Sequence, residues 1–482
     1  MSMTASPQQL ADGSREELAA IDLVGQRVHF VGIGGCGMSG LARLAQQRGA
    51  ICTGTDRADS LTVAALRDSG IAVSLDQTSQ SVPDDCDLMV ISAAIKADHP
   101  ELAEADRRGV SIVKYAQLLG RLMIGCTGVA IAGTHGKSTT TSLLSHVLIS
   151  CGLDPSLIVG AECKQIGGGW RVGAGDLLVA EACEYDRSFC YFHPEHAVIL
   201  NIEEDHLDMY KGIDDIVEAF ADFTRLLPRD GSLLVNHEMP HRLAVSGALH
   251  CVVETIGFAP QADWRVQMDS PTGRSTPALL YNKGKLVAAW ASTLPGEHMA
   301  YNAAVAAVTA HRLGVTWDGI SQAIGTFEGL DRRMQRLGQR TLKGGRVVVV
   351  DDYGHHPTEI DTTLRALRQH YQPRQLVCVF QPHQHSRTLF LLEQFAASFS
   401  EADQVIVPEI FFVRDSEQER HKVRAADLVD RLRQGGKKAM HLHPLKAIVE
   451  QLELITWGDG DLLVTMGAGN VWQVARDFLG PQ

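Results

Sequence analysis

The sequence predicts an α/β protein of three domains, each built on a mostly parallel sheet. Three observations predict it. Short apolar runs that end in glycine or charged residues recur along the chain, each leading into a helical pattern, which is the grammar of doubly wound units. Two of these runs open into glycine loops, "VGIGGCGMSG" and "AGTHGKSTTT". The length of 482 residues exceeds what one core organises, at roughly 100 to 200 residues per domain.

Residues 1 to about 25 read as a polar leader. From Arg27, "RVHFVGIG", "MSGLARLAQQRG" and "AICTGTD" read as strand, helix and strand, and "DLMVISAAI", "PELAEADRRG" and "SIVKYA" repeat the series, giving a Rossmann-like domain over 1–125. A second domain over 126–331 opens with "GVAIAGTHGKSTTTSLLSHVLISCG" and continues through "DLLVAEACEYD" and "HAVILNIEEDHLDMY". Alternation in "WRVQMDS" and "LLYNKGKLVAAW" predicts antiparallel strands, and "GEHMAYNAAVAAVTAHRLG" a helix. The third domain, 332–482, is again Rossmann-like, with "GRVVVVDDYGHHPTEIDTTLRALRQHY", "QLVCVFQPHQHSR", "DQVIVPEIF" and "DLLVTMGAGN".

Composition narrows the function classes. With 44 basic against 57 acidic residues the net charge is -13, which argues against a nucleic-acid partner. No run of about 18 apolar residues occurs and the N-terminus lacks an apolar signal region, so a cytoplasmic protein without stable membrane association is expected. The ten cysteines form no C-x-x-C pair and are expected to be free thiols.

The first loop places Gly32, Gly34 and Gly37 in G-x-G-x-x-G spacing after a strand, with Asp56 about 20 residues on. Backbone amides there can approach a pyrophosphate at a helix N-terminus, and the acid suits a ribose hydroxyl. The second loop, Gly133 to Ser138, is a phosphate-loop variant in which Ile131 stands where the usual pattern has its first glycine. Lys137 suits terminal phosphates and Ser138 a Mg²⁺ ion, so ATP or GTP is expected. Past the next strands, Glu181 and then Glu204, Asp205, His206 and Asp208 offer carboxylates and an imidazole for Mg²⁺. "DDYGHHPTEI" and "FQPHQHSR" gather histidines without cysteine or H-E-x-x-H, so substrate and phosphate contacts are expected there in preference to a metal.

With the phosphate loop, "EACEYD", "NIEEDHLD", "PGEHMAYNAAVA" and "DDYGHHPTEI" in this order, the chain from about residue 25 onward resembles the Mur ligases of bacterial peptidoglycan synthesis. Within them it is similar to the alanine-adding type. The resemblance implies an ATP- and Mg²⁺-dependent enzyme that phosphorylates the carboxylate of UDP-N-acetylmuramate to an acyl phosphate, which the amine of L-alanine then attacks. It implies a UDP-sugar domain holding Gly32, Gly34, Gly35, Gly37, Met38, Ser39, Asp56 and Ser92. ATP would fall to Gly133, Thr134, His135, Gly136, Lys137, Ser138, Thr139, His298, Asn302, Arg332, Arg333 and Asp351. Metal would fall to Ser138, Glu181 and His206; the amino acid to Tyr353, His383 and Arg387; catalysis to Lys137, Glu181, His206 and His355. A monomer or weak dimer is expected.

Three departures stand out against the family pattern. Gln384 replaces an arginine, and Cys183 and Tyr185 replace an aspartate and a serine. Residues 212–230 contain no lysine, which sets the chain apart from members whose carbamoylated lysine holds Mg²⁺. A ligase that recycles preformed tripeptides is the alternative enzyme, and a silent UDP-sugar-binding regulator the alternative from another class; intact Lys137, Glu181 and His206 argue against the latter.

Overall fold

The computed structural model describes residues 20–206, 209–269, 275–413 and 415–480. Asp208 and the leader up to residue 19 lie outside the described residues. Three sheets carry the chain, as the sequence predicts. The first joins β1 (Arg27–Val31), β2 (Ile51–Thr55), β3 (Ala72–Ser74), β4 (Leu88–Ile91) and β5 (Ser111–Lys114) in the order β3-β2-β1-β4-β5, all parallel. The order reverses between β1 and β4, so the first glycine loop leaves β1 at the crevice where such sheets bind ligands.

Among the described residues the second sheet has ten strands, including β7 (Ser156–Ile158), β8 (Trp170–Arg171), β11 (Ser232–Asn236) and β12 (Val252–Gly257). In it, β6 (Thr127–Ala132) lies between β9 (Leu177–Ala182) and β10 (His196–Ile199), with parallel pairing on both sides. The phosphate loop leaves β6 at this second switch point, and the segments bearing Glu181 and His206 leave its two neighbours. At the far edge β13 (Trp264–Met268), β14 (Thr276–Asn282) and β15 (Lys285–Ser292) are antiparallel, as their alternation predicts. The third sheet runs β16-β17-β21-β18-β19-β20, with β17 (Gly345–Asp352), β21 (Leu462–Met466) and β18 (Leu376–Phe380) at its centre. β16 (Gln335–Leu342) pairs antiparallel with β17, and β19 (Gln404–Val407) and β20 (Lys438–His441) complete the other edge.

Packing joins these units. One apolar core runs from Phe30 and Leu41 of the first sheet's layer to Phe189 and Phe220 beneath the second. Helix Tyr115–Met123 crosses this junction so closely that a Cβ at Gly120 would stand 1.9 Å from the Tyr191 carbonyl oxygen. Helix Lys137–Ser150 is buried on every side from Ser138 to Leu148. The hydroxyls of Thr140, Thr141 and Ser142 are enclosed there without a hydrogen-bond partner.

The third unit is attached through an aspartate pair at the end of β17. Asp351 accepts from Arg332 Nε at 3.0 Å and from Thr465 Oγ1 at 2.5 Å. Asp352 accepts from the amides of Met334 and Gly354, both at 2.7 Å, and so fixes the connecting segment against the sheet. Burial pushes the Asp352 carboxyl up to about 6.

Two predictions concern these junctions. Gly120→Ala should lower stability by about 1–3 kcal/mol in urea unfolding, because backbone and not a flexible side chain meets the new methyl; an unchanged midpoint would contradict the close approach. For Asp352, the fold keeps a proton between the ordinary value of 3.8 and about 6 that the unfolded chain has lost. Stability therefore falls as pH rises through that window, and the decline is complete above it. Asp352→Asn should show a constant offset from its lost acceptor but not this decline, measured by unfolding across about pH 3–7.

Candidate active site

The first glycine loop is tied down by backbone bonds. Gly32 and Ile33 donate to the Thr55 carbonyl at 2.8 and 2.9 Å, and Gly34 donates to Asp56 Oδ2 at 2.8 Å. Asp56 thus faces the loop, and Ser92 closes its other side, with its hydroxyl 4.0 Å from where a Gly32 Cβ would stand. Gly35 accepts from the Ser39 amide at 2.9 Å, opening helix Cys36–Gln47, and a Cβ at Gly37 would meet the Tyr115 hydroxyl at 3.0 Å. Met38 is buried in the core beneath the loop.

The phosphate loop needs left-handed backbone at two points, Gly133 with φ 141° and Gly136 with φ 84°, which only glycine adopts without strain. Asn201 clamps the loop: its Oδ1 accepts from His135 N at 2.7 Å, its Nδ2 donates to His135 O at 3.1 Å, and its carbonyl accepts from Thr134 N at 3.1 Å. Lys137 Nζ donates to the carbonyls of Gly133 and Thr134 and to Glu184 Oε2 at 2.9 Å. Burial disfavours its charge, but Glu184 outweighs burial and holds the ammonium above the usual lysine range. Thr139 is buried behind the loop, and Asn302 reaches Gly136 from helix Glu297–Arg312.

Glu181 lies beside the loop. It accepts from the Gly160 amide at 2.7 Å and from the Ser138 hydroxyl, and burial raises its carboxyl above the ordinary range. Ser138 and Glu181 therefore converge as two metal ligands must. The same carboxylate bears electrostatically on Cys36 and Tyr115 of the first unit. His206 stands further round, its Nε2 3.8 Å from Glu184 Oε1 and from Asp205 Oδ2. Tyr185, one of the departures, packs edge-on against His206 with ring centroids 5.1 Å apart. Cys183, another, is an exposed free cysteine just past β9.

The third unit closes the cleft. Arg332 and Arg333 are not equivalent: Arg332 is engaged by Asp351 and by the carbonyls of Gly467 and Gly469, whereas Arg333 reaches Glu359 Oε1 at 3.4 Å and lies within electrostatic range of Glu181. Both guanidinium groups flank Tyr353, at 5.1 and 5.0 Å from its ring. His298 is half-buried, with its Nδ1 enclosed and without a hydrogen-bond partner, and desolvation pushes its pKa down to about 4. His355 and His356 also part company. His355 faces His383, ring centroids 6.0 Å apart, and burial pushes it down to about 3; His356 turns to the Glu204 carbonyl at 3.2 Å.

Arg387 donates to Asp205 Oδ1 through Nε at 3.1 Å and Nη2 at 2.7 Å, with Nη1 3.4 Å from His383 Nδ1. Burial would raise Asp205, but Arg387 outweighs it and holds the carboxyl well below the usual range. This pair joins the second unit to the third and forms one wall of a cavity of about 270 Å³ that Glu204, His206, Gln384, Phe390 and Lys422 also line. Gln384, the third departure, is buried with φ 68° and its amide bound to the Phe411 carbonyl.

Three residues outside the expected set belong here: Asn201, Glu184 and Glu359, and Asp205, expected near Mg²⁺, instead pairs with Arg387. Glu359 could have been found, since "HPTE" is a capping-box spacing: it accepts from the amides of His355 and His356 at 2.9 and 3.3 Å. No helix among the described residues is long and apolar enough to cross a membrane.

Known proteins share this arrangement. Residues 27–126 match the Mur ligase family, catalytic domain; 131–310 the Mur ligase middle domain; and 332–469 the Mur ligase, glutamate ligase domain. A UDP-N-acetylmuramate–L-alanine ligase of Clostridium novyi is 40% identical, covering 94% of this chain and 97% of its own. One of Caldanaerobacter subterraneus is 38% identical over the same shares. Among solved structures, the UDP-N-acetylmuramate-alanine ligase of Thermotoga maritima superposes with TM-score 0.78 at 24% identity, covering 94% of this chain and 98% of that one. A murein peptide ligase from Psychrobacter arcticus gives 0.68 at 22% over the same shares. The two structures speak for the fold; the sequence relatives and the three matched segments go further, and the chain belongs to the Mur ligase family.

Proposed function

We propose that the protein uses ATP to join L-alanine to the carboxylate of UDP-N-acetylmuramate. The observation that carries this is the position of Glu181: it accepts from Ser138 of the phosphate loop and lies within electrostatic range of Lys137, while the Gly160 amide that binds it follows Val159, whose carbonyl accepts from Cys36 of the first glycine loop at 3.3 Å. Two phosphate-binding loops around one carboxylate suit a reaction that moves a phosphoryl group from one bound nucleotide to a substrate carried on another. The UDP-N-acetylmuramate–L-alanine ligases that match along nearly their whole length supply the sugar and the amino acid.

The chemistry distributes over the residues as follows. ATP's γ-phosphorus accepts a carboxylate oxygen of the sugar substrate while its bond to the β-bridging oxygen breaks, releasing ADP and leaving an acyl phosphate. Two anions must meet, so cationic and dipolar groups have to be in place beforehand. Lys137, the amides of residues 133–138 and Arg333 provide them. Ser138 and Glu181 would hold Mg²⁺, with His206 completing the set from the next loop; the ion neutralises phosphate charge when bound. The alanine amine then attacks the carbonyl carbon and phosphate leaves.

Arg387 suits the free carboxylate of alanine, which would share or displace Asp205. His355 and Tyr353 would border the amine, and a neutral His355 accepts a hydrogen bond without adding charge. His298 and Asn302 would border adenine. Gly32, Gly34, Gly35, Gly37, Ser39, Asp56 and Ser92 would hold the UDP end.

Phosphate release from ATP with UDP-N-acetylmuramate, tested with L-alanine, L-serine, glycine and a tripeptide in parallel, should be fastest with L-alanine. Turnover with the tripeptide alone would transfer the reading to a recycling ligase, and no turnover with any would favour a binding protein. Lys137→Ala should reduce the rate by at least about 100-fold at saturating substrate, and a near-normal rate would remove the loop from phosphate binding. His206→Ala should shift the Mg²⁺ activation curve to higher concentration; an unmoved curve would exclude it from the metal set.

A further inference from the structure

The histidines of "DDYGHHPTEI" are read from sequence as substrate contacts, but one of them meets another histidine from the phosphate loop. His135, Glu203 and His356 offer ligating atoms that all lie within 4.8 Å of one another. His135 Nε2 is 3.5 Å and His356 Nδ1 3.9 Å from Glu203 Oε2, and the two imidazoles lie with centroids 4.7 Å apart. Tetrahedral Zn²⁺ with bonds of about 2.0–2.1 Å spaces its ligand atoms roughly 3.3 Å apart. Both measured separations are within an ångström of that.

The surrounding bonds orient these groups as a metal site requires. A metal-binding histidine commonly donates its other nitrogen to a carboxylate or carbonyl, which fixes its tautomer. His135 Nδ1 lies 3.4 Å from Glu359 Oε1, and His135 Nε2 is buried without a hydrogen-bond partner. His356 Nε2 lies 3.2 Å from the Glu204 carbonyl, which leaves Nδ1 as the acceptor nitrogen, 3.9 Å from Glu203 Oε2. That nitrogen now accepts from the Thr358 amide at 3.3 Å, a cap that a metal would replace. Glu203 Oε2 is held by the Thr358 hydroxyl at 2.5 Å. Asn201 fixes the His135 backbone.

We propose that His135, Glu203 and His356 form a binding site for a borderline divalent cation of the zinc class, separate from the Mg²⁺ ligands of the ATP site. Two imidazoles and one carboxylate suit Zn²⁺, Co²⁺ or Ni²⁺ better than Mg²⁺, which prefers oxygen. His135 and Glu203 come from the second unit and His356 from the third, so the ion would fasten the two across the ATP cleft. Bound there, it would hold the cleft shut and slow turnover until removed by a chelator. The inference stands apart from the identity of the ligase substrates, because binding is measured without them.

Full-length protein titrated with Co²⁺ should develop the visible ligand-field absorption of a tetrahedral nitrogen–oxygen site at one equivalent, and Zn²⁺ should abolish it. Glu203→Gln keeps the bond from Thr358 and His356→Ala removes one imidazole; each should weaken the absorbing site by at least about tenfold. Nucleotide binding by each variant reports that it is folded, and if His356→Ala fails this check Glu203→Gln decides alone. Absence of the absorption in wild type, or its persistence at wild-type affinity in a folded variant, would overturn the proposal.

Discussion

A buried ammonium sets the terms for the rest of the molecule. Lys137 sits at the start of a helix enclosed on all sides, where an unpaired charge would cost several kcal/mol. Glu184 and two loop carbonyls offset that cost, and the loop can present those carbonyls only because Gly133 and Gly136 take left-handed backbone. Glu184 in turn needs its own place, which Tyr210 fixes by donating to its carbonyl. The resting site is therefore electrically closed: a lysine ready for phosphate is paired with a carboxylate in the meantime. An arriving triphosphate replaces one anion with another, and does not place negative charge where there was none.

The same logic joins the units. Lys114 meets Asp186 at 2.5 Å between the first and second, and Asp205 meets Arg387 at 2.7 Å between the second and third. The former is half exposed and worth little on its own. The latter is buried on both sides, so it costs desolvation to form and more to break, which favours specificity of docking over raw stability. A cleft held by a polar pair can open and reform around a ligand in a way that an apolar seam cannot. Glu359 extends this pattern, touching Arg333, His135 and the start of its own helix.

Much of this was legible in the chain. Strand, turn and helix patterns gave the three sheets and both glycine loops, because buried parallel strands are continuous apolar runs with sharp polar ends. Short edge strands such as Ala72–Ser74 and Lys438–His441 escaped, since the first buries none of its residues and the second only Ala439, so neither has such a run. So did β16, whose residues are half exposed along its length. "SIVKYA" is strand only to Lys114; Tyr115 begins the next helix. Spacing could not separate Arg332 from Arg333 or His355 from His356, because adjacent residues point apart for reasons set by tertiary partners, from Asp351 and Glu359 on the next elements to Gly469 and Glu204 in distant ones. The encounter of His135 with His356 is of that kind: no spacing rule spans it.

The central claim is that the two loops bring ATP to a carboxylate and not to water or to the amine. Oxygen transfer tests it most directly. UDP-N-acetylmuramate labelled with ¹⁸O in its carboxylate, turned over with ATP and L-alanine, should pass one labelled oxygen to the inorganic phosphate released and keep the other in the amide. Phosphate free of label, with amide formed at the normal rate, would contradict an acyl phosphate and with it the reading of Glu181 as the meeting point of the two loops.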